Sequence, residues 1–88
     1  MTYDEFNMKY SEYLEEGHYG LAIHFENIVS YLDALFQKLI LKPNFSYRQI
    51  KLKFGYARVY VSGLTDEEIL EIETEIDRLV TIYHNELK

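Results

Sequence analysis

The stretch that decides the fold is QIKLKFGYARVYV, residues 49–61. Apolar and polar side chains alternate on both sides of Gly55, and this period of two is typical of β-strands. A two-residue turn at Gly55 and Tyr56, in which the glycine supplies a positive φ, would place Phe54 opposite Ala57. We therefore predict an antiparallel β-hairpin with an apolar inner face and a polar outer face.

The outer face of this hairpin is predicted to be basic and to carry tyrosines. Cations mixed with aromatic rings suit an anionic partner, because Lys and Arg pair with anionic groups while rings provide stacking surface. The alternative is that the cations only protect an exposed strand from aggregation. Both interpretations stay open here. The candidate binding residues of the face are Tyr47, Lys51, Lys53, Arg58 and Tyr60.

Two helices are predicted before the hairpin. Thr2 and Glu5 have the spacing of a capping box, which indicates a first helix over residues 3–16. Apolar residues then recur at helical spacing from about Glu26, and Pro43 prevents the second helix from continuing. The segment between these helices is expected to be a connection that packs apolar side chains inward.

A third helix is predicted after the hairpin. Thr65 and Glu68 repeat the capping box, so this helix is expected to begin at Asp66 and to end near Asn85. The predicted element order is ααββα. The fold class is therefore α+β, with an antiparallel hairpin packed on three helices.

Charge is divided along the chain into three blocks. Residues 1–37 contain seven acids and one lysine, residues 38–63 contain six cations and no acid, and residues 64–88 contain eight acids and two cations. The hairpin block is thus net positive in a chain whose net charge is −6. Such a division leaves a face rich in Lys and Arg, and so favours a protein that binds a charged partner, unless the helices fold their carboxylates over that face. The sequence leaves both arrangements open.

An acidic ridge is predicted on the third helix. Glu67, Glu71 and Glu75 follow one another at intervals of four residues, so their side chains share one helical surface. This row could imitate a row of phosphates and bind a basic partner. The alternative is a solvated surface that keeps the chain in solution, which is the commoner role of charged helix surfaces.

No residue pattern indicates catalysis, a metal site or a cofactor. The absence of cysteine excludes disulfides and thiolate ligands, and the three histidines His18, His24 and His84 match no metal-binding spacing. The serines and glycines form neither a nucleophile elbow nor a phosphate-binding loop. We therefore expect a protein that is not an enzyme.

The composition predicts one folded domain over residues 1–88. Apolar residues make up 48% of the chain and aromatic residues 16%, which is too apolar for the charged class that stays disordered. A chain of this length supports one hydrophobic core. No run of residues resembles a membrane span or a signal peptide, so the expected compartment is the cytoplasm.

Two segments, YGLAI at 19–23 and KLKFGYARVY at 51–60, resemble segments of small uncharacterised proteins from bacteriophages and mobile elements. The chain is also similar in size and acidity to anti-CRISPR and other anti-defence inhibitors. The resemblance implies a bacterial host cell and an inhibitor that binds a host protein, including one that itself binds nucleic acid. Two alternatives remain: a homo-oligomer that holds an anionic nucleotide, and a structural dimer joined through a hairpin edge.

Overall fold

The computed structural model describes residues 1–86 and confirms an α+β fold. A mixed three-stranded sheet, in the order β1-β2-β3, carries three helices. The prediction of a two-stranded hairpin alone is corrected, because a short additional strand pairs with the hairpin. The elements are α1 (Tyr3–Lys9), a 3-10 turn (Ser11–Tyr13), β1 (Gly20–Leu21), α2 (Glu26–Leu39), β2 (Ser46–Lys53), β3 (Tyr56–Ser62) and α3 (Asp66–Glu86).

The capping boxes at the starts of α1 and α3 are confirmed. The hydroxyl of Thr2 accepts a hydrogen bond from the amide of Glu5, whose carboxylate accepts one from the amide of Thr2. Thr65 and Glu68 exchange the same pair of bonds. Each box satisfies two amides that would otherwise lack a partner at a helix start. Local sequence signals therefore determine where both helices begin.

Helix α1 ends at Lys9, so the predicted helix over residues 3–16 is too long. Leu14 has an extended backbone and forms a parallel bridge with Tyr47 of β2. The amide of Glu15 then donates to the carbonyl of Tyr47 at 2.9 Å. These hydrogen bonds require the chain to leave the helix, because a helical residue uses its amide within the helix.

Strand β1 belongs to the segment that was predicted to be a connection. It runs parallel to β2, with Leu21 beside Ile50, and the amide of Ala22 donates to the carbonyl of Ile50 at 2.8 Å. Leu21 and Ile23 are both buried, which confirms the expectation that this segment packs apolar side chains inward.

The turn of the hairpin is formed by Phe54 and Gly55, whose φ angles are 54° and 82°. A turn at Gly55 and Tyr56 was predicted, and that prediction is wrong. Ala57 consequently pairs with Leu52 instead of Phe54. The register differs from the predicted one by two residues, so the side chains of residues 49–53 and 57–61 keep their predicted faces and Phe54 moves out of the sheet into the turn.

The pairing register is fixed at the end of the hairpin opposite the turn. Gly63 follows β3 with a φ of 89°, and a Cβ atom there would lie 2.7 Å from the carbonyl oxygen of Asn44 and 2.9 Å from the Cα atom of Phe45. Only a glycine tolerates both this φ and this close approach. The backbone segments therefore meet at a fixed position, which pairs Ser46 with Ser62.

A β-bulge at Arg48 reverses the side-chain alternation in β2. Tyr47 pairs with Val61 and Gln49 pairs with Tyr60, so Arg48 has no partner of its own. Tyr47 consequently points to the inner face and is 0% exposed. Its predicted place on the outer face is wrong, because strict alternation assumed a strand without an inserted residue.

The hydrophobic core lies between the inner face of the sheet and the helices. Buried side chains of β2 and β3, such as Ile50 and Val59, belong to one cluster with residues of all three helices. At its centre, aromatic rings contact one another with centroids 4.8–6.1 Å apart, within the favourable range. These rings are Phe6, Tyr10, Phe36 and Tyr47.

The free edge of β1 is closed by a side chain of α1. The amide group of Asn7 donates to the carbonyl of Leu21 and accepts from the amide of Leu21, both at 2.9 Å. The Tyr47 hydroxyl also donates to the Asn7 Oδ1 atom at 3.1 Å. Asn7 thus satisfies the backbone groups that a neighbouring strand would otherwise bind.

The free edge of β3 is closed by two carboxylates of α3. Asp77 accepts a hydrogen bond from the amide of Ala57 at 2.7 Å, and Glu73 accepts one from the amide of Val59 at 3.0 Å. The two acids lie four residues apart and the two amides lie two residues apart. One helical surface therefore matches the spacing of the outward amides of a strand.

Candidate interaction face

The helices pack on the inner face of the sheet and leave its outer face uncovered. Lys51 pairs with Arg58 and Lys53 pairs with Tyr56, so the predicted cations do point the same way. Tyr56 is 61% exposed and Tyr60 is 42% exposed. We call this surface the outer face and define it by Gln49, Lys51, Lys53, Tyr56, Arg58 and Tyr60.

The three cations of the outer face are free of carboxylate partners within residues 1–86. The ion pairs formed in that range involve other cations. The Lys51 ammonium group instead lies 6.0 Å from the ring centroid of Tyr60, and the Arg58 guanidinium group donates a hydrogen bond to the carbonyl of Ala57 at 2.9 Å. Because like charges directly opposed across two strands are unfavourable, an anionic partner would relieve the Lys51–Arg58 pair.

A polar cluster borders the outer face at the end of the hairpin where β2 begins and β3 ends. The Glu15 carboxylate accepts hydrogen bonds from Ser46 at 2.8 Å, from Arg48 at 3.1 Å and from Ser62 at 3.2 Å. The hydrogen bond from Ser46 is the main cause that holds the pKa of Glu15 below its ordinary value. The hydrogen bond from Ser62 and the positive charge of Arg48 lower this pKa further. The cluster fixes the Arg48 side chain at the margin of the face.

Beside this cluster the outer face contains a shallow depression of about 260 Å³. An aromatic ring and two cationic side chains lie at its wall, which suits an anionic ligand with a planar group. Its lining residues are His18, Arg48, Gln49, Lys51 and Tyr60. Arg48 was missed as a site residue because the bulge that brings it here is not visible in the alternation.

The hairpin tip presents a second feature that the sequence did not predict. Phe54 was expected to lie on the inner face, but it is 88% exposed in the turn. The Lys53 ammonium group lies 5.9 Å from the centroid of its ring. A Phe-Gly pair at the centre of a hairpin sequence is the one signal that could have located this residue.

The acidic ridge of α3 is only partly free. Glu67 and Glu71 are exposed, whereas Glu75 accepts a hydrogen bond from the Arg78 Nε atom at 2.9 Å and a second one from its guanidinium group. This pairing lowers the pKa of Glu75. Burial is the main cause that raises the pKa of Tyr31 on α2, and the negative charges of Glu75 and Glu71 raise it further. The ridge therefore offers two carboxylates, those of Glu67 and Glu71, that Arg78 does not pair.

The three histidines lie at separate places. His18 lines the outer-face depression, while His24 packs edge-on against Tyr3 at 4.5 Å and His84 packs edge-on against Phe25 at 5.4 Å. Residues 1–86 contain no group of three or more acidic or histidine side chains arranged to hold a metal ion. His24 and His84 thus have aromatic neighbours that explain their positions.

The fold and this face define a small α+β protein whose helices lie on one side of a sheet and whose other side is open and cationic. Comparison with protein-family models, curated proteins and solved structures found no match. Within residues 1–86, none of the helices is both long enough and apolar enough to cross a membrane.

Proposed function

We propose that this chain is a non-enzymatic inhibitor or regulator that binds an acidic surface of a host protein through its outer face. The observation that carries the proposal is the set of three cations without ion pairs on an uncovered sheet face. The exposed tyrosines support it, because tyrosine is enriched at protein interfaces. The resemblance to small phage proteins supports an anti-defence role in the bacterial cytoplasm.

The outer face is a better candidate than the acidic ridge. The Arg78 side chain already neutralises Glu75, so the ridge offers two free carboxylates and not a row of three. Lys51, Lys53 and Arg58 have no such partners among the described residues. Binding through the outer face also removes the repulsion between Lys51 and Arg58.

Affinity capture from a bacterial lysate tests this proposal, with the captured proteins identified by mass spectrometry. The double variant Lys51→Glu/Lys53→Glu reverses charge on the face and leaves the core intact, because both side chains lie on the outer face. Its first substitution places an acid opposite Arg58, so an attractive pair replaces a repulsive one. We expect this variant to lose the proteins that the wild-type chain captures. The matched variant Glu67→Lys/Glu71→Lys reverses the ridge and should retain them, and the opposite pattern would assign binding to the ridge.

A second candidate function is the binding of an anionic nucleotide, and the depression beside Tyr60 favours it. The ring could stack on a base while Lys51 and Arg48 lie within the same depression for a phosphate group. Adenine and guanine nucleotides should then raise the melting temperature, and Tyr60→Ala should remove this shift. An unchanged melting temperature at millimolar nucleotide excludes this function.

A further inference from the structure

Phe54 combines two unfavourable features in one residue. Its φ of 54° lies in the left-handed region, which a bulky side chain rarely adopts, and its ring is 88% exposed. Positive φ at both central turn residues is the condition for a type I′ turn, where Asn-Gly is strongly preferred. Neither the backbone nor the core gains from a phenylalanine at this position.

An unstrained alternative exists in the same sequence. A turn at Gly55 and Tyr56 would place glycine at the first central position, where a type II′ turn needs it, and would return Phe54 to the inner face. The close approach at Gly63 holds the other register. Because phenylalanine stabilises neither this turn nor the core, a role in binding would account for the strained and exposed ring.

The surroundings of Phe54 indicate the chemistry of its partner. Lys53 and Tyr56 flank the turn, and the two strands that it joins contain no acid, while the Asp77 carboxylate of α3 lies beside Ala57 at the β3 edge. Aromatic side chains that enter a pocket at the centre of an interface commonly provide most of its binding energy. A partner pocket for this tip would therefore be apolar inside and would carry carboxylates at its rim.

We infer that Phe54 is the anchor of the interface, and that it enters an apolar, acid-rimmed pocket on the partner protein. The inference rests on the proposed function and adds the contact that holds the complex. Phe54 projects from the turn and is not one of the paired residues of the outer face. This position favours insertion into a protein pocket over the flat stacking of nucleic-acid bases along the sheet.

A phage-displayed library of random dodecapeptides tests the inference without a known partner. The immobilised wild-type chain should enrich peptides that combine large apolar residues with Asp or Glu. Synthetic copies of these peptides are then titrated against purified variants by fluorescence anisotropy. Fluorescein-labelled dT12 is titrated in parallel as the nucleic-acid probe.

The variant Phe54→Asn separates binding from folding. Asparagine suits the first position of a type I′ turn, so the melting temperature should rise, on the order of 4 °C. Peptide affinity should fall about 30-fold, as expected for a hot-spot residue. Phe54→Trp keeps a large ring and should retain binding, and Leu41→Asn, at another site that is 81% exposed, should change neither property.

Four results overturn the inference. If the enriched peptides bind Phe54→Asn as well as the wild type but lose Lys51→Glu/Lys53→Glu, the outer face binds without the anchor and the proposed function stands. If neither variant changes the affinity for the enriched peptides, or if no peptide is enriched, both the inference and the proposed function fail. If dT12 binds and Phe54→Asn does not weaken that binding, the face is a nucleic-acid surface instead.

Discussion

Arg48 is inserted into β2 as a bulge, and this insertion turns the neighbouring Tyr47 from the outer to the inner face of the sheet. Alternation along β2 correctly predicted the buried Ile50 and the outward Lys51, but it failed at Tyr47. Tyrosine has both an apolar ring and a hydroxyl, so its own chemistry does not indicate a face. The bulge that moves Tyr47 inward depends on contacts with α1 and α2, and such contacts lie outside the information in a local pattern.

Tyr47→Phe should change how stability depends on pH. Burial raises the pKa of Tyr47 to about 12, compared with about 10 in the unfolded chain. The stability that its neutral form provides below pH 10 is therefore lost as the pH rises toward 12, by about 1.4 kcal/mol per pH unit. Urea unfolding between pH 8 and pH 12 measures this loss.

The phenylalanine variant should show a smaller loss of stability above pH 10. Near neutral pH it should be less stable by about 1 kcal/mol, because the hydrogen bond from Tyr47 to Asn7 is absent. Tyr10 also has a pKa raised by burial, and it titrates in both proteins. Equal slopes for wild type and variant would show that Tyr47 does not control the alkaline transition.

At the scale of elements, the starts of helices were predictable and the end of α1 was not. The capping boxes at Thr2 and Thr65 involve residues three apart, so the sequence contains all that they need. The end of α1 depends instead on Leu14 and Glu15, which pair with a strand more than thirty residues later. Strand β1 was not predicted either, because it also pairs with a distant strand and its two residues are too few to show a periodic pattern.

Asp77→Ala should weaken the closure of the β3 edge. The variant leaves the amide of Ala57 without its acceptor, and a hydrogen bond to a charged group contributes about 1.5–3 kcal/mol. Hydrogen exchange followed by NMR should show faster exchange at Ala57, while Val59 keeps its bond to Glu73. Glu67→Ala, on an exposed part of the same helix, should leave Ala57 unchanged; equal rates in both variants would contradict the role of Asp77.

At the scale of the whole molecule, the sequence contained the charge blocks but not their arrangement. Helices could have folded carboxylates over the basic hairpin, and the structure shows that they pack on the inner face instead. Two cations of the central block do find acids, since Arg48 pairs with Glu15 and Lys42 pairs with Glu68. The remaining charge of the hairpin is left on the outer face because the hydrophobic core draws all three helices to the other side.

The closed edges predict a monomer. A dimer through β3 would have to break the hydrogen bonds of Asp77 and Glu73, and a dimer through β1 would have to displace Asn7. Analytical ultracentrifugation should therefore find one chain of 10.6 kDa at micromolar concentration. A dimer of the wild-type chain would contradict this prediction and would require a contact surface other than the two strand edges.

The two edge closures differ in when they become available during synthesis. Asn7 precedes Leu21 by 14 positions, whereas Asp77 follows Ala57 by 20. A ribosome adds about 5–20 residues per second, so those 20 residues take about 1–4 s, while a hairpin forms in about 1–10 μs. Asn7 is therefore already part of the chain when β1 is made, whereas Asp77, the acceptor for the Ala57 amide, is added only after β3 has been completed.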